Sequence, residues 1–293
     1  MKKDIKWKYY NHAVIPDCPP HIVVDRKCVD SKRLFKQYKN ALLIRWTENY
    51  DCAVATNYWY VIKDEPLDIT LLKSKRRYEI NKGKKLFTVR KINPGEYKEE
   101  IFLIASAAYS EWPQKYRPHI EHDSFVLSVE SYTKYDVLGV FHNESERLVG
   151  YALIKDSGKC LKFNVLRVIP EYEKLGVNSG AVAGILQIYE DKLRNGCYIL
   201  DGARSVSHET NFQDYLEKYF AFRKAYCTIC VKYRLKIKIV VMLLFPFRKL
   251  LSKFNKFGLI HNFCAVLKLE EYKRKDRKIT KLLSKENGKD VEL

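Results

Sequence analysis

The chain has 293 residues, of which 46% are hydrophobic and 13% aromatic, and it carries a formal net charge of +19. With only 12 Gly and 9 Pro, this composition predicts a compact folded protein and excludes collagen-like and disordered classes. The longest apolar run, at 239–247, has nine residues, against about 20 needed to cross a bilayer, so no membrane-spanning helix is expected.

The positive charge is concentrated in two regions. Residues 73–85 (KSKRRYEINKGKK) have a net charge of +6, and residues 232–278 have a net charge of +11. Such a concentration of charge attracts anions, which include nucleic acid, acidic lipid headgroups and phosphate-bearing substrates. The alternative interpretation is a solvated lysine-rich surface without a partner.

In chain order, an irregular start with prolines at 19–20 precedes a basic helix at 70–85, and Asn93-Pro94-Gly95 then opens a helix that ends near Trp112. Strand-like runs bounded by turn residues lie at 41–46, 57–62, 86–92, 136–142, 147–156, 159–170, 197–201 and from 225 onward. Further helices are expected at 123–133, 171–194 and 211–220. This order predicts an α/β or α+β fold with helices around one mixed sheet.

Eight cysteines are scattered along the chain without the paired spacing of a zinc site or a disulfide framework. Cys227 and Cys230 lie in a strand-like run, where residues three apart point to opposite faces. We therefore expect buried structural thiols, no metal site and a reducing, cytoplasmic compartment. The start MKKDIKWK is not typical of a signal peptide.

The segment after residue 230 has two successive patterns. Apolar and basic residues alternate from Val231 to Ile239, which predicts a strand with one cationic face. Residues 239–257 then combine apolar and aromatic residues with Arg248, Lys249, Lys253 and Lys256. This composition suits peripheral docking on an anionic membrane, and it equally suits a packed helix with a basic outer face.

Pro170-Glu171-Tyr172 directly follows a strand and precedes a helix that begins with small residues. This order resembles the GNAT superfamily of N-acyltransferases over about residues 86–270, with residues 1–85 as an N-terminal extension and 271–293 as a charged tail. In that family a loop with Arg or Gln, then Gly, then Gly or Ala holds the diphosphate of coenzyme A. The corresponding positions here are Glu173, Gly176 and Asn178.

The resemblance implies acetyl-coenzyme A or another acyl-coenzyme A as donor. The implied cofactor-binding residues are Val168, Gly176, Val177, Asn178, Ser179 and Asn211. The segment from Asn211 to Phe222 resembles the family's fourth helix, so its acid tyrosine corresponds to Tyr215 or Tyr219. The whole chain looks closest to a divergent branch related to the Fem-type aminoacyltransferases, which are associated with the cell envelope and surface polysaccharides.

The polar stretch DGARSVSHETN, residues 201–211, is the remaining candidate site. An acceptor amine must lose a proton, and His208 is the side chain there that titrates near neutrality. Asp201 would orient His208 or the acceptor, and Arg204 and Ser205 would bind substrate. Asn164 and Glu171, near the strand bulge that the resemblance implies, are lesser substrate-binding candidates. Alternatively, the stretch is a connection rich in helix-capping residues.

Three functions follow from these patterns. The first is an acyltransferase that moves an acyl group from acyl-coenzyme A to an amino or hydroxyl group of a surface glycan or envelope precursor. That precursor would be linked to a lipid or a nucleotide. The second is a Fem-type enzyme that uses aminoacyl-tRNA. The third is a non-catalytic, membrane-associated binding module. An anionic membrane surface and tRNA are candidate partners, and DNA is not an expected one.

Overall fold

A computed structural model describes residues 5–206, 211–253, 258–279 and 281 of the chain. The strands are β1 (Trp7–Tyr10), β2 (Ala13–Pro16), β3 (Leu43–Glu48), β4 (Tyr58–Lys63), β5 (Phe87–Lys91), β6 (Asp136–His142), β7 (Leu148–Asp156), β8 (Cys160–Val168), β9 (Tyr198–Ala203) and β10 (Arg223–Tyr233). The helices are α1 (Ser31–Gln37), α2 (Ser74–Leu86), α3 (Lys98–Ser110), α4 (His122–Val129), α5 (Val177–Ile188), α6 (Glu190–Arg194), α7 (Asn211–Phe220), α8 (Leu235–Leu244), α9 (Arg248–Lys253) and α10 (Gly258–Lys275).

Contacts divide the chain into two compact units. Unit 1 consists of Met1–Tyr60, Ala203–Thr210 and Lys224–Leu293, and unit 2 consists of Val61–Gly202 and Asn211–Arg223. Both units combine helices with strands, which confirms the predicted α/β class. The predicted boundaries at 85/86 and 270/271 stay predictions.

Unit 2 contains a sheet in the order β9-β8-β7-β6-β5. The pairs from β5 to β8 are antiparallel, and β8 pairs with β9 in parallel. A parallel pair needs a crossover connection, and α5 and α6 supply it between β8 and β9. The sheet is therefore mixed at the edge where β9 lies.

Helices cover both faces of this sheet. One face packs α3 and α4 against a cluster that includes Ile101, Val137 and Tyr151. The other packs α5 against β5 and β6, with Val140 and Val177 in its cluster. A sheet buried on both faces explains why β6 and β7 are almost continuously apolar in sequence.

Side-chain caps mark the start of two helical segments of unit 2. The Asn93 side chain accepts a hydrogen bond from the Gly95 amide, which caps the short 3-10 turn before α3. Glu121 caps α4 in the same way through the amides of Asp123 and Ser124. The single helix predicted at 171–194 is divided into a 3-10 turn at Pro170–Leu175, then α5 and α6.

Unit 1 contains a sheet in the order β1-β2-β3-β10. Its two faces bury different clusters, one with Cys227 and Ile229 and the other with Cys230 and Trp46. The prediction that Cys227 and Cys230 point to opposite faces of a strand is thus confirmed. All eight cysteines are free thiols, and burial raises the pKa of Cys230 to about 12, so this thiol stays protonated.

The strand predicted from Val231 to Ile239 is wrong beyond Tyr233. The chain ends β10 at Tyr233 and begins α8 at Leu235. The cause lies at Arg234, whose guanidinium donates to four backbone carbonyls in the segment 35–41, at distances of 2.7–3.0 Å. These contacts fix the bend, and the apolar run that follows is long enough to form a helix. In the described part of the chain, no helix has the length and apolar character that crossing a bilayer requires.

Candidate functional site

The candidate site lies in unit 2, where β8 and β9 separate. Their ladder runs from Cys160 and Tyr198 to Lys162 and Leu200. Within the described strands it stops there, although β8 continues to Val168 and β9 to Ala203. Beyond this point the two strands leave backbone N–H and C=O groups facing the gap between them.

A bulge in β8 causes this separation. Leu153 of β7 pairs with Val165, whereas the next residue, Ile154, pairs with Phe163. Asn164 is therefore the extra residue on β8, and such a bulge bends the strand away from its neighbour. The bulge that the sequence predicted near Asn164 is present.

Helix α7 covers this end of the β8 and β9 pair. The Phe212 ring contacts the ring of Phe163 on β8, with centroids 6.2 Å apart. The side-chain amide of Gln213 donates to the Asp201 carboxylate on β9, at 3.1 Å. The first turn of α7 thus contacts one strand on each side of the gap.

Asp201 is the residue directly after the last ladder pair of β9. Burial raises the pKa of its carboxyl above the ordinary value of 3.8, and the Gln213 hydrogen bond offsets part of that rise. A carboxylate with a raised pKa is a better proton acceptor than an exposed one. Asp201 is therefore a candidate proton acceptor at this end of the strand pair.

Tyr215 lies one turn further along α7. Its hydroxyl is 2.9 Å from the hydroxyl of Ser179 in the first turn of α5, and its ring stacks on Phe212 with centroids 6.1 Å apart. Burial raises the pKa of Tyr215 to about 12. The phenol therefore stays protonated near neutral pH and can donate a proton.

Tyr219, the other candidate for the acid tyrosine, has different surroundings. The Arg76 guanidinium of α2 lies 5.6 Å from the centroid of its ring, and the Tyr215 ring lies 4.9 Å away. Tyr215 contacts the helix start at which the resemblance places the donor, and Tyr219 contacts the basic helix. The two tyrosines, which the sequence left equivalent, therefore have different surroundings, and their roles stay predictions.

The predicted diphosphate loop is a 3-10 turn followed by Gly176. Gly176 has a φ of 91°, which favours glycine, and α5 begins without a side-chain cap, so its first amides have no intrahelical acceptor. The Gly176 amide donates to the carbonyl of Glu173, and the Asn178 side chain donates to its carboxylate, at 3.4 Å. A carboxylate therefore stands beside the turn where an anion would bind.

Helix α2 packs directly against the first turns of α5. A Cβ on Gly83 would lie 2.5 Å from the backbone nitrogen of Gly180 and 2.7 Å from the Gly176 carbonyl oxygen. The Lys82 ammonium donates to the Lys174 carbonyl, at 3.1 Å. Two glycines thus allow the backbones of α2 and α5 to touch, and they fix the basic helix beside the start of α5.

The other predicted cofactor-binding and substrate-binding residues of unit 2 lie around the same elements. Val168 is buried with the α5 face of the sheet, and Val177 is fully buried. Asn211 is the exposed first residue of α7, and Glu171 is exposed in the turn before Gly176. Their roles stay predictions.

Arg204 and Ser205 belong to unit 1. The Arg204 guanidinium lies 4.1 Å from the Trp59 ring centroid and 4.5 Å from that of Tyr272, and it donates to the Asn57 carbonyl at 2.7 Å. Ser205 is half-buried. His208, the predicted base, lies outside the described residues, so its role also stays a prediction.

Sequence reasoning missed two residues of unit 2. Gln213 holds Asp201, yet an isolated glutamine on a helix carries no motif, so its partner emerges only when α7 and β9 are placed. Lys63 on β4 is only 5% exposed, and burial lowers the pKa of its ammonium. Within the described ranges, no cluster of three or more His, Cys, Asp or Glu side chains is suited to hold a metal ion.

No protein-family model matches the sequence, and no curated protein sequence matches it. Solved structures do match. FemX is 8% identical, covers 81% of this chain and 85% of its own, and has a TM-score of 0.51. The fold is similar to that of FemX. This similarity confirms the predicted GNAT-like and Fem-type resemblance at the level of fold.

Two further structures match with lower TM-scores. The C-terminal domain of a putative lysylphosphatidylglycerol synthetase from Agrobacterium fabrum is 9% identical, with 81% of this chain and 83% of that chain covered and a TM-score of 0.49. A GCN5-related N-acetyltransferase from Sphaerobacter thermophilus is 13% identical, with 78% and 75% covered and a TM-score of 0.39.

Proposed function

We propose that the chain is a transferase that moves an aminoacyl or acyl group to an amine at the gap between β8 and β9. The observation that supports this most is the placement of Asp201. A carboxyl with a raised pKa stands at the residue where the ladder opens, and α7 holds it while presenting a protonated phenol one turn away.

The residues have complementary roles in this reaction. The amine nitrogen of the acceptor attacks the acyl carbonyl carbon, and backbone N–H groups of β8 beyond the bulge stabilise the charge on the carbonyl oxygen. Asp201 accepts the proton that the amine loses. Tyr215 donates a proton to the leaving atom of the donor, and solvent then returns the proton from Asp201 to the phenol.

The surroundings of α5 favour an aminoacyl-tRNA as donor. Glu173 occupies the loop position where the GNAT family has Arg or Gln, and its carboxylate disfavours a diphosphate there. Helix α2 presents exposed Lys75, Lys84 and Lys85, which suit the phosphate backbone of a nucleic acid. The ester bond to the tRNA ribose would break as the new C–N bond forms.

An acyl-coenzyme A donor is the second candidate. The support for it is the left-handed Gly176 and the uncapped start of α5, since free amides at a helix N-terminus bind phosphate. In both cases the acceptor carried over from the Fem-type resemblance is an amine or hydroxyl of an envelope or surface-glycan precursor.

Ligand-induced thermal stabilisation distinguishes the donors. Bulk aminoacyl-tRNA should raise the melting temperature of the protein more than acetyl-coenzyme A does, because a ligand that binds the folded state stabilises it. The tRNA affinity should fall steeply with salt. Stabilisation by acetyl-coenzyme A alone would favour the second candidate. No stabilisation by either donor, together with no transfer activity, would contradict the proposed function.

A further inference from the structure

Helix α8 in unit 1 exposes an apolar face. Leu235, Ile239, Met242 and Leu243 are exposed by 73%, 51%, 60% and 66%. Because successive helical residues are about 100° apart, these four positions fall on one arc about 100° wide. An apolar stripe of this width normally faces a protein core, and here it faces outward.

The rest of α8 shows that the helix is packed, so its exposed apolar face is a feature of the fold. Val241, on the opposite side, is 2% exposed, so the helix is packed onto unit 1. Lys236 and Lys238 are exposed and fall at the two edges of the apolar arc. The outward face is therefore apolar in the middle and cationic along both borders.

The same character continues through the 3-10 turn Phe245–Phe247 into α9. Phe247 and Leu250 are exposed by 58% and 54%, and Lys249 and Lys253 are exposed beside them. We call the apolar residues and lysines of 235–253 the α8 surface.

Contacts within unit 1 hold the turn between α8 and α9 in place. The guanidinium groups of Arg248 and Arg274 lie 4.3 and 3.8 Å from the Phe245 ring centroid. Arg274 is hydrogen-bonded to Glu270 at 2.9 Å, and Arg248 pairs with Glu271 at 3.5 Å. The α8 surface is thus presented by a turn anchored to α10.

We propose that the α8 surface docks on the interface of an anionic phospholipid bilayer. The apolar arc would enter the boundary between headgroups and acyl chains, and the bordering lysines would contact lipid phosphates. Residues 235–253 contain no acidic residue. A two-fold contact between copies of the chain would place two cationic surfaces without acidic residues against each other, so charge complementarity favours an anionic lipid surface over a second copy.

A shallow, open groove beside the start of α8 adds to this surface. It is lined by residues that include Lys32, Lys36, Tyr233 and Leu235. Leu235 also begins the apolar arc. Two lysines thus stand beside the first apolar residue, where a lipid headgroup would lie if the arc were inserted.

Vesicle flotation with the full chain tests the proposal. The parent protein should bind vesicles of phosphatidylcholine with about 30% phosphatidylglycerol and bind pure phosphatidylcholine much more weakly. The double variant Met242→Ser, Leu243→Ser should bind at least tenfold more weakly, because it removes two inserted side chains. The double variant Lys236→Gln, Lys238→Gln should lose about fivefold per lysine on the anionic vesicles only.

The matched control is Leu71→Ser with Leu127→Ser, which removes two leucines exposed by 83% and 66% on other elements. It should bind vesicles like the parent. All variants change exposed side chains, so their melting temperatures should equal that of the parent.

The proposal is overturned if the parent does not bind anionic vesicles or if the control weakens binding as much as Met242→Ser, Leu243→Ser. Sedimentation that shows a dimer disrupted by that variant, without vesicle binding, would assign the surface to a second copy instead.

Discussion

The two basic regions of the chain both carry an excess of positive charge, +6 at 73–85 and +11 at 232–278, and they differ in how their cations are paired within the fold. Within the described residues, none of the seven cations at 73–85 forms an ion pair, and most are exposed on α2. At 232–278, Arg234, Arg248 and Arg274 instead hold the chain's own carbonyls, rings and carboxylates. A count of charges therefore reports an excess of base, and only the contacts show which cations are available to a partner.

The available lysines of the two regions also differ in their neighbours. Those of the α8 surface border exposed apolar side chains, as expected for a lipid interface. Those of α2 lie on a helix whose exposed residues are polar apart from Tyr78, as expected for a phosphate backbone. The same residue type thus suits two anions of different chemistry.

The largest effect on stability should come from a cation that the fold uses. Arg234→Gln removes a charged donor from four carbonyls, so we expect the free energy of unfolding to fall by about 3 kcal/mol. Urea denaturation measures it. Lys84→Gln changes an exposed side chain of α2 and should leave the urea midpoint unchanged. Equal losses of stability in the two variants would contradict this difference between the two basic regions.

The next largest effect on stability should come from the contact that holds α2 against α5. Gly83→Ala should destabilise by about 2 kcal/mol despite the better helix propensity of Ala, because its Cβ would meet the backbone of Gly180 at 2.5 Å. Thermal unfolding measures the change. Asn81→Ala, at an exposed position of the same helix, should be neutral or slightly stabilising. A neutral Gly83→Ala would show that α2 is not held by this contact.

A smaller effect should show whether tRNA contacts the lysines of α2 or those of the α8 surface. The triple variant Lys75→Gln, Lys84→Gln, Lys85→Gln should bind tRNA about tenfold more weakly at moderate salt and lower the salt slope of log K by about 2 to 3. Filter binding across a salt series measures both. The matched triple variant Lys236→Gln, Lys238→Gln, Lys249→Gln should keep the tRNA affinity of the parent. Equal losses would mean that charge alone, not position, determines binding.

The smallest effect should come from Asp201, a half-buried acid. The pKa of Asp201 is raised in the folded state, so its contribution to stability is present at low pH and is lost as pH rises through the folded pKa. Asp201→Asn cannot ionise, so its free energy of unfolding relative to the parent should increase as pH rises above 3.8. Denaturation at several pH values measures this difference, and a constant difference would contradict the burial of the carboxylate.

Much of the fold followed from sequence because local pattern and tertiary environment agree. Val182, Ile185 and Leu186 have helical spacing and are buried on α5, and the strand-like runs of unit 2 are strands. The pattern failed after Tyr233, because alternation of apolar and basic residues says nothing of the carbonyls at 35–41 that bind Arg234. The apolar run that begins at Leu235 is long enough to form a helix, and it forms α8.

The candidate site was predictable in part. Asp201 could be singled out because it ends a strand-like run, whereas Asn164 and the pair Tyr215 and Tyr219 came from the family resemblance, and their roles stay predictions. The contact of Gln213 with Asp201, the choice between Tyr215 and Tyr219, and the crossing of Gly83 over Gly180 depend on residues far apart in the chain. No local pattern encodes such contacts.

The most direct test of the central claim is the pH dependence of transfer from bulk aminoacyl-tRNA, charged with labelled amino acids, to an amine-bearing envelope-precursor extract. For the parent, the rate should rise with pH through the raised pKa of Asp201. Asp201→Asn should lose that rise and at least 100-fold in rate, and Tyr215→Phe should lose far more than Tyr219→Phe. An Asp201→Asn rate within twofold of the parent, or equal losses at the two tyrosines, would contradict the account.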